Sequence, residues 1–385
     1  MILSVKLLFA CGGTGGHINP ALAVANYARA QDPDVKILFA GNPGGMEATL
    51  VPQAGYDFAP IRVRGLKRRL TLDNIINNLL MPGCLVASDI RARRIIRDFD
   101  PDVVIGTGGY VSFPIMKKAA ALGYKTLSHE QNAFPGVAQK MLAKHVSRML
   151  VAFPEAIARL PEGIDVKTVG NPVREEIIFA DRRKAREKLG VGDRICILSY
   201  GGSLGAQRIN ETVAELIGNL WGENYYFIHA TGRYGVELFP ELLGKYGIKP
   251  DREKGLYVRE YIDDMADCMA AADLLICRSG AITLSELEAA GVPSILIPSP
   301  NVAENHQYFN AKVLADKEAA LLIEEKDLTG EALTEAVKNL TSDPATLKKY
   351  GENARKLAII DSNRLIYQEI LSLAASGNGG QCSQK

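Results

Sequence analysis

Two segments of this chain repeat one local plan, an apolar strand followed by a glycine-rich turn and a helix with an apolar face. In that order, the two copies are residues 5–10, 11–17 and 20–30, and residues 195–200, 201–205 and 209–220. Strands that are apolar along their whole length are typical of parallel sheets covered by helices on both faces. The repetition therefore predicts an α/β chain with two doubly wound domains.

Further apolar segments alternate with helical patterns in both halves of the chain. They predict strands at residues 36–40, 103–106, 125–128, 149–152, 225–230, 256–259, 274–277 and 294–297. Gly and Pro punctuate residues 169–173, before a charged helix at 181–189, and predict the hinge there. We expect domains at 1–170 and 171–358, a helix at 359–375 that packs back on the first domain, and a flexible tail at 376–385. The helical pattern leading into that last helix is continuous from about residue 344 to 374.

Composition and charge exclude several classes of protein. The chain has 385 residues, of which 47% are hydrophobic and 23% charged, and this balance is typical of globular domains. Its formal net charge of +1 gives no overall basic field, so no nucleic-acid partner is expected. Residues 1–170 carry 20 basic and 13 acidic residues, or +7, which leaves 25 against 31, or −6, for the remainder. The first domain is therefore expected to prefer an anionic partner.

The N-terminus and the cysteines argue against a membrane span and a disulfide framework. Residues 7–28 contain no Asp, Glu, Lys or Arg, but glycines, Asn19 and Pro20 interrupt the stretch, so it is not predicted to cross a bilayer. The six cysteines are scattered without Cys-x-x-Cys spacing. They are expected to be small buried side chains in a reducing compartment rather than disulfides or zinc ligands.

The glycine loops predict phosphate binding, because glycine lets backbone N–H groups and a helix N-terminus approach an anion. Residues 107–110 form a third such loop. A dinucleotide fingerprint is disfavoured, since Ile18 replaces the third glycine and the second strand ends at Asn42 without an acid. No Lys follows the glycines, which excludes a Walker A loop. Each loop taken alone could instead be a simple tight turn.

Six motifs, in order over nearly the whole chain, carry a more specific signal. They are residues 12–17 (GGTGGH), 108–112 (GGYVS), 129–132 (HEQN), 170–174 (GNPVR), 201–203 (GGS) and 278–281 (RSGA). Together they closely resemble the MurG family of bacterial peptidoglycan glycosyltransferases, within glycosyltransferase family 28. The resemblance implies a GT-B fold, with two Rossmann-like domains facing across a cleft. It also implies inverting transfer of N-acetylglucosamine (GlcNAc) from UDP-GlcNAc to the C4 hydroxyl of the N-acetylmuramyl (MurNAc) sugar in lipid I, the undecaprenyl-pyrophosphoryl-MurNAc-pentapeptide, giving lipid II.

The donor site is expected in the second domain. A strand ends and a helix begins within residues 278–286, with Ser279 as the predicted N-cap and Glu286 two turns into the helix. Glu286 either accepts both ribose hydroxyls or lies on a solvated face, and Arg174 either meets the nucleotide or braces the hinge. With the resemblance, the predicted donor set is Thr14, Gly15, Gly16, His17, Asn132, Arg174, Ser203, Ile262, Ala281, Thr283, Glu286 and Gln307. His306 contacts the sugar or is a solvated first-turn residue, and Leu204 stands where many family members carry Gln.

The acceptor is expected in the basic first domain, because lipid I carries a second diphosphate. The residues predicted to bind it are Gly12, Gly13, Gly108, Gly109 and Tyr110. His17 is the candidate base for the C4 hydroxyl, although a core or N-capping histidine is the alternative. His129 and Glu130 can hydrogen-bond to each other near a strand end. No cofactor and no Asp-x-Asp metal site is expected, because helix N-termini and N–H donors already meet the displaced UDP.

Five cations within residues 62–69 precede an apolar stretch. The residues predicted to contact the membrane are Lys67, Arg68, Arg69, Ile75, Leu79 and Leu80. This chemistry is typical of interfacial binding to anionic inner-leaflet lipids, and it predicts a peripheral enzyme on the cytoplasmic face of the cell membrane. A core-facing helix after a solvated basic loop is the alternative. Rival functions are another GT-B enzyme, such as a UDP-GlcNAc 2-epimerase or a transferase to another lipid acceptor, and a noncatalytic nucleotide-sugar-binding protein.

Overall fold

The computed structural model describes residues 5–63 and 81–377, apart from the side chains at 81–83 and 85. The chain divides into two compact units. The N-terminal unit comprises the described residues up to Pro172 and those from Asp361 onward, and the C-terminal unit is Val173–Ile360. The boundaries predicted from the sequence, at 170/171 and 358/359, each lie two residues from these positions.

Among the described residues of the N-terminal unit, seven parallel strands form one sheet in the order β3-β2-β1-β4-β5-β6-β7. The strands are β1 (Lys6–Cys11), β2 (Lys36–Gly41), β3 (Asp57–Pro60), β4 (Val103–Gly108), β5 (Lys125–Glu130), β6 (Arg148–Val151) and β7 (Val166–Thr168). The helices are α1 (Gly15–Gln31), α2 (Glu47–Gln53), α3 (Met81–Phe99), α4 (Ser112–Ala121), α5 (Val137–Ala143) and, from the end of the chain, α15 (Ser362–Ala375).

The C-terminal unit has a second parallel sheet, in the order β10-β9-β8-β11-β12-β13. Its strands are β8 (Ile195–Tyr200), β9 (Tyr225–Ala230), β10 (Leu256–Arg259), β11 (Leu274–Cys277), β12 (Ser294–Leu296) and β13 (Ala320–Leu322). Its helices are α6 (Glu175–Ile178), α7 (Arg182–Leu189), α8 (Gln207–Leu220), α9 (Leu238–Gly244), α10 (Met265–Ala271), α11 (Ala281–Ala290), α12 (His306–Asp316), α13 (Gly330–Thr341) and α14 (Pro344–Leu357). Both predicted Rossmann-like sheets are therefore confirmed.

Burial on both faces explains why the central strands are apolar at every position. In β1, Leu7 and Phe9 pack into the core on one face of the sheet, whereas Leu8 and Ala10 pack into the core on the other. All four side chains are fully buried. A strand covered by helices on both sides gains nothing from alternating polar residues, so its sequence is a continuous apolar run.

The C-terminal helical pattern is two helices rather than one. The backbone is extended at Ala358 and ends α14 there, before α15 begins at Ser362. Ile366 and Ile370, one turn apart on α15, are buried in the same core as Leu7 of β1. Glu369 also accepts hydrogen bonds from Arg148 and, at 2.9 Å, from Lys167. The last helix is thus an integral part of the N-terminal unit.

Each sheet reverses its strand order at one point, between β1 and β4 in the first and between β8 and β11 in the second. Ligands of doubly wound sheets bind beyond the carboxyl ends of the strands at such a switch point. The glycine loops at 11–16 and 108–110 follow β1 and β4, and the loop at 201–206 follows β8. In residues 5–63 and 81–377, we find no helix both long and apolar enough to span a bilayer.

Candidate functional site

His17 is held in the first turn of α1 by contacts from the first glycine loop and from strand β4. Its backbone N–H donates to the carbonyl of Thr14 at 3.0 Å, and its Nδ1 lies 3.1 Å from the Thr14 hydroxyl. From the neighbouring strand, the Thr107 hydroxyl donates to the His17 carbonyl at 2.7 Å. The predicted residues Thr14, Gly15, Gly16 and His17 therefore lie together at the switch point of the first sheet.

Gly108 and Gly109 allow the second glycine loop to pack directly on the first. Both have positive φ, +104° and +81°. A Cβ at Gly108 would lie 2.6 Å from the His17 ring, and one at Gly109 would lie 2.1 Å from the carbonyl oxygen of Gly12. Side chains here would force the loops apart, so the glycines set the distance between the two loops.

Glu47, which the sequence analysis did not single out, lies beneath the first glycine loop. It is 1% exposed, and its Oε2 accepts the N–H of Gly13 at 3.1 Å. That N–H is therefore committed within the protein, which does not support the predicted role of Gly13 as a diphosphate donor. An acidic residue at a helix start is an ordinary sequence feature, so its pattern gave no sign of this contact.

Tyr110, predicted to bind the acceptor, is 43% exposed. Its hydroxyl accepts a hydrogen bond of 3.3 Å from the side-chain amide of Asn42, which also donates to the carbonyl of Val63. The tyrosine is thus tied to the loop that follows β2.

The segment after β5 holds Asn132 in a fixed orientation. Glu130 accepts hydrogen bonds from the backbone and side-chain nitrogens of Asn132, at 2.9 and 3.0 Å, and from the N–H of Gly136. Burial raises the pKa of Glu130, and these donors oppose the shift. His129 bonds instead to the carbonyl of Gly170 at 2.9 Å, and burial lowers its pKa to about 4. The alternative in which His129 and Glu130 hydrogen-bond to each other is therefore not what the structure shows.

In the C-terminal unit, a cavity of about 720 Å³ opens beyond the carboxyl ends of β8, β11 and β12. The glycine loop at 201–206 and the start of α11 form its walls. Of the predicted donor residues, Ser203, Thr283 and Gln307 line it. The size and position of the cavity suit a nucleotide-type ligand.

Glu286 and Arg174 contact each other in the C-terminal unit. The Arg174 Nε donates to Oε1 of Glu286 at 2.8 Å, with the glutamate side chain 10% and the arginine 52% exposed. Burial raises the pKa of Glu286, and the guanidinium opposes this shift. Glu286 is therefore not the solvated helix-face residue of the alternative interpretation.

The start of α11 differs from the prediction, because Gly280 rather than Ser279 is its N-cap. The Ser279 hydroxyl donates instead to the carbonyl of Gln307 at 2.8 Å, and so ties α11 to α12. The Gln307 Oε1 accepts the N–H of Ser299 at 2.9 Å. His306 opens α12, where its Nδ1 lies 2.8 Å from the carbonyl of Ala303, and burial lowers its pKa.

The remaining donor candidates differ in how far they are buried. Ile262 and Ala281 are buried, at 3% and 8% exposure, whereas Leu204 is 54% exposed beside Ser203. Two cavity residues outside the predicted set also stand out. Arg278 donates to the carbonyls of Ile297 and Pro298 and pairs with Glu325, and burial raises the pKa of Tyr200 well above its usual value. The contacts of Arg278 join residues 19 to 47 positions apart and could not be read from the local sequence.

The predicted membrane residues Lys67, Arg68, Arg69, Ile75, Leu79 and Leu80 lie outside the described residues. The helix that follows them, α3, exposes Val86 and Ile90, at 63% and 61%.

Comparison with known proteins identifies the family. Residues 7–151 match the glycosyltransferase family 28 N-terminal domain, and residues 196–364 match the family 28 C-terminal domain. A relative from Acetivibrio thermocellus is 42% identical over 98% of this chain and 100% of its own length, and one from Clostridioides difficile is 39% identical over 96% and 89%. Both are named UDP-N-acetylglucosamine--N-acetylmuramyl-(pentapeptide) pyrophosphoryl-undecaprenol N-acetylglucosamine transferase.

Solved structures agree with these matches. The crystal structure of Acinetobacter baumannii MurG has a TM-score of 0.77 and 29% identity, covering 96% of this chain and 99% of that one. A Listeria monocytogenes structure titled as a putative UDP-N-acetylglucosamine 2-epimerase has a TM-score of 0.65 at 14% identity, over 97% of each chain, and so shares the fold alone. The predicted GT-B fold is confirmed, and the chain belongs to glycosyltransferase family 28.

Proposed function

We propose that this chain transfers GlcNAc from UDP-GlcNAc to the C4 hydroxyl of MurNAc in lipid I, giving lipid II for peptidoglycan synthesis. The observation that carries the proposal is 42% identity over 98% of the chain to an enzyme named for this donor and acceptor. The cavity at the switch point of the C-terminal sheet supports it, because it is large enough for a nucleotide sugar.

The donor binds in the C-terminal unit. The backbone of residues 201–206 and the N-terminus of α8 meet the diphosphate, with Ser203 adding its hydroxyl. Glu286 accepts the ribose hydroxyls, and Gln307 and Thr283 approach the sugar and phosphate from α12 and α11. When UDP leaves, these N–H groups and helix dipoles stabilise the charge that develops on its diphosphate.

The acceptor binds in the N-terminal unit, and His17 is its general base. The imidazole takes the proton of the C4 hydroxyl as that oxygen bonds to C1 of GlcNAc and the bond from C1 to UDP breaks. A single displacement of this kind inverts the anomeric centre. Asn132, fixed by Glu130, orients one of the sugars.

The basic run at 62–69 and the apolar residues after it bind anionic lipids of the inner leaflet. The enzyme works peripherally on the cytoplasmic face, where an acceptor with a long lipid tail stays in the bilayer.

The test is to incubate the purified protein with UDP-GlcNAc and a soluble lipid I analogue in EDTA, and to measure UDP and disaccharide. Both products are expected in equal amounts, and neither without acceptor. A 2-epimerase would convert UDP-GlcNAc without acceptor, and a binding protein would bind donor without releasing UDP. Either result would contradict the proposal.

A further inference from the structure

We propose that Glu47 is a positioning residue for His17, and that its buried carboxylate fixes the first glycine loop so that the imidazole is held in its working orientation. The inference rests on the proposed function, because it takes His17 as the general base.

The Glu47 carboxylate bridges two loops through backbone N–H groups. Its Oε1 accepts the N–H of Asn42 at 2.9 Å, in the loop after β2, and its Oε2 accepts that of Gly13 at 3.1 Å, in the loop after β1. Hydrogen bonds from N–H groups to a carboxylate are stronger than those to neutral acceptors. One side chain thus joins the carboxyl ends of two neighbouring strands.

Three glycines lie so close to this carboxylate that no residue with a side chain fits at their positions. A Cβ added at Gly12, Gly41 or Gly45 would lie 2.2, 2.5 or 2.3 Å from an atom of Glu47. With the side chain 1% exposed, solvent cannot take over its hydrogen bonds. Replacing the carboxylate with an amide would therefore leave at least one of these two N–H groups without its present acceptor, and the loop is expected to shift in response.

A short path connects Glu47 to the imidazole. The residue after Gly13 is Thr14, whose hydroxyl lies 3.1 Å from Nδ1 of His17 and whose carbonyl accepts the His17 N–H at 3.0 Å. Glu47 fixes the start of this segment and Thr14 transmits its position to the ring. The Nδ1 contact determines where the opposite ring nitrogen, Nε2, points.

Asn42 links Glu47 to Tyr110, in the second glycine loop predicted to bind the acceptor. Asn42, whose backbone Glu47 holds, donates from its side-chain amide to the hydroxyl of Tyr110 at 3.3 Å.

A carboxylate directly behind Gly13 also places negative charge where a diphosphate would otherwise bind that N–H. The first loop therefore acts as a platform for Thr14 and His17 more than as a phosphate cradle.

The experiment is a double-mutant cycle on turnover with the lipid I analogue. Glu47→Gln is expected to lower kcat by roughly 10- to 100-fold, because a displacement of about 1 Å at a reacting group costs on the order of a hundredfold. His17→Ala is expected to lower kcat by about 10²- to 10⁴-fold. In the His17→Ala background, Glu47→Gln should change kcat by no more than about threefold, because its effect acts through the missing imidazole.

The matched control is Asp102→Asn. Asp102 lies in the same unit and its carboxylate also accepts a backbone N–H, that of Lys6 at 2.8 Å, but at the amino end of the sheet. Replacing this carboxylate with an amide in Asp102→Asn should lower the free energy of unfolding and leave kcat within about threefold of wild type. UDP-GlcNAc affinity, measured by calorimetry, should also stay unchanged in Asp102→Asn, which lies outside the predicted donor and acceptor residues.

Three outcomes overturn the inference: wild-type kcat in Glu47→Gln, an undiminished effect of this change in the His17→Ala background, or an equal loss of kcat in Asp102→Asn. If Glu47→Gln does not fold, Glu47→Asp takes its place. This variant keeps the charge but is too short to bridge both N–H groups, so it should fall between wild type and the expected Glu47→Gln value in kcat, and wild-type kcat would again overturn the inference. An inactive wild-type protein would instead contradict the proposed function.

Discussion

At the scale of single residues, Glu286 is a largely buried carboxylate that we propose binds the ribose of the donor. Its side chain is 10% exposed and its partner in the structure, Arg174, is 52% exposed. Because the arginine is half in solvent, its rotation away from the carboxylate costs little free energy. A ribose diol can then take its place or share the carboxylate with it. Under the proposed function, the carboxylate is therefore already largely desolvated before the donor binds.

Replacing Glu286 with Ala is expected to weaken UDP-GlcNAc binding by about 1.5 to 3 kcal/mol, or roughly 10- to 150-fold in Kd, because charge-assisted hydrogen bonds to the diol are lost. The matched control is Glu288→Ala, on the same helix and 5% exposed. Calorimetric titration measures both affinities. Equal donor affinity for the folded Glu286→Ala protein and the wild type would contradict the ribose assignment.

Buried histidines give the fold a defined response to acid. His229 stacks on Phe239, and its ring nitrogens bond to Ser199 at 2.8 Å and Asn210 at 3.2 Å. Burial lowers its pKa from 6.5 to about 3. Below pH 6.5 this histidine takes up a proton in the unfolded chain but stays neutral in the folded chain. The free energy of unfolding is therefore highest above pH 6.5, as far as this group is concerned, and declines as the pH falls toward 3.

Lowering the pH from 7 to 5 is therefore expected to reduce the free energy of unfolding of the C-terminal unit by about 2 kcal/mol through His229. The sole tryptophan, Trp221, lies in this unit and reports its unfolding by fluorescence in urea. Glu286 has a raised pKa, so its protonation opposes the trend. The difference in the free energy of unfolding between pH 7 and pH 5 should shrink by about 2 kcal/mol in His229→Gln. The same difference should persist in a variant of the exposed His145. An unchanged difference in His229→Gln would show that this histidine is not responsible.

At the scale of helices and strands, the sequence predicted the central strands and missed three at sheet edges. The missed strands are β3, β7 and β13, and each pairs with a neighbour on one side. An edge strand is covered less fully, so it needs no long apolar run: β3 begins with an exposed Asp57 and ends with an exposed Pro60. The sequence pattern placed the start of α1 near residue 20, but the helix begins at Gly15. The pattern missed this first turn because it contains glycines, which have low helix propensity.

The residues of the candidate site also fall into two groups, those that local sequence patterns indicate and those that only the fold brings near them. Glycine loops and helix starts are local patterns, so Gly108, Ser203 and Glu286 could be found from the sequence. The partners that hold them are distant in the chain: Glu47 lies 34 residues from Gly13, and Arg174 lies 112 residues from Glu286. Such contacts depend on which strands are neighbours in the sheet, and one sequence does not specify that order.

The packing of one glycine loop on the other can be tested with two glycines of similar φ. Gly109 (φ +81°) has no room for a Cβ, whereas Gly163 (φ +76°), in the same unit, has open space. Gly163→Ala should cost only the strain of a left-handed alanine, about 1 to 2 kcal/mol. Gly109→Ala should cost roughly 1 to 3 kcal/mol more, because Gly12 must move. Urea unfolding of both proteins measures the difference, and equal stabilities would show that the loops do not depend on this contact.

At the scale of the whole molecule, charge is divided between the two halves of the chain. Residues 1–170 sum to +7 and the rest to −6, although the chain as a whole carries +1. A protein with this asymmetry is oriented by an anionic surface, with its basic half toward the surface. The proposed acceptor, anchored in the bilayer by its lipid tail, is then presented to the half that is proposed to bind it.

We expect this orientation to depend on Lys67, Arg68 and Arg69. Each cation near an anionic bilayer contributes about 1 kcal/mol, so changing all three to Gln should remove about 3 kcal/mol of binding, on the order of a hundredfold in affinity, and make the remainder less sensitive to salt. The control changes Lys245, Lys249 and Lys254 of the C-terminal unit to Gln, an equal loss of charge that should leave binding nearly intact. Sedimentation with vesicles that contain anionic lipid, at low and high salt, compares the three proteins. Binding of the 67–69 variant equal to wild type would refute the basic-run assignment, and an equal loss in the control variant would show that net charge, not the position of the cations, governs docking.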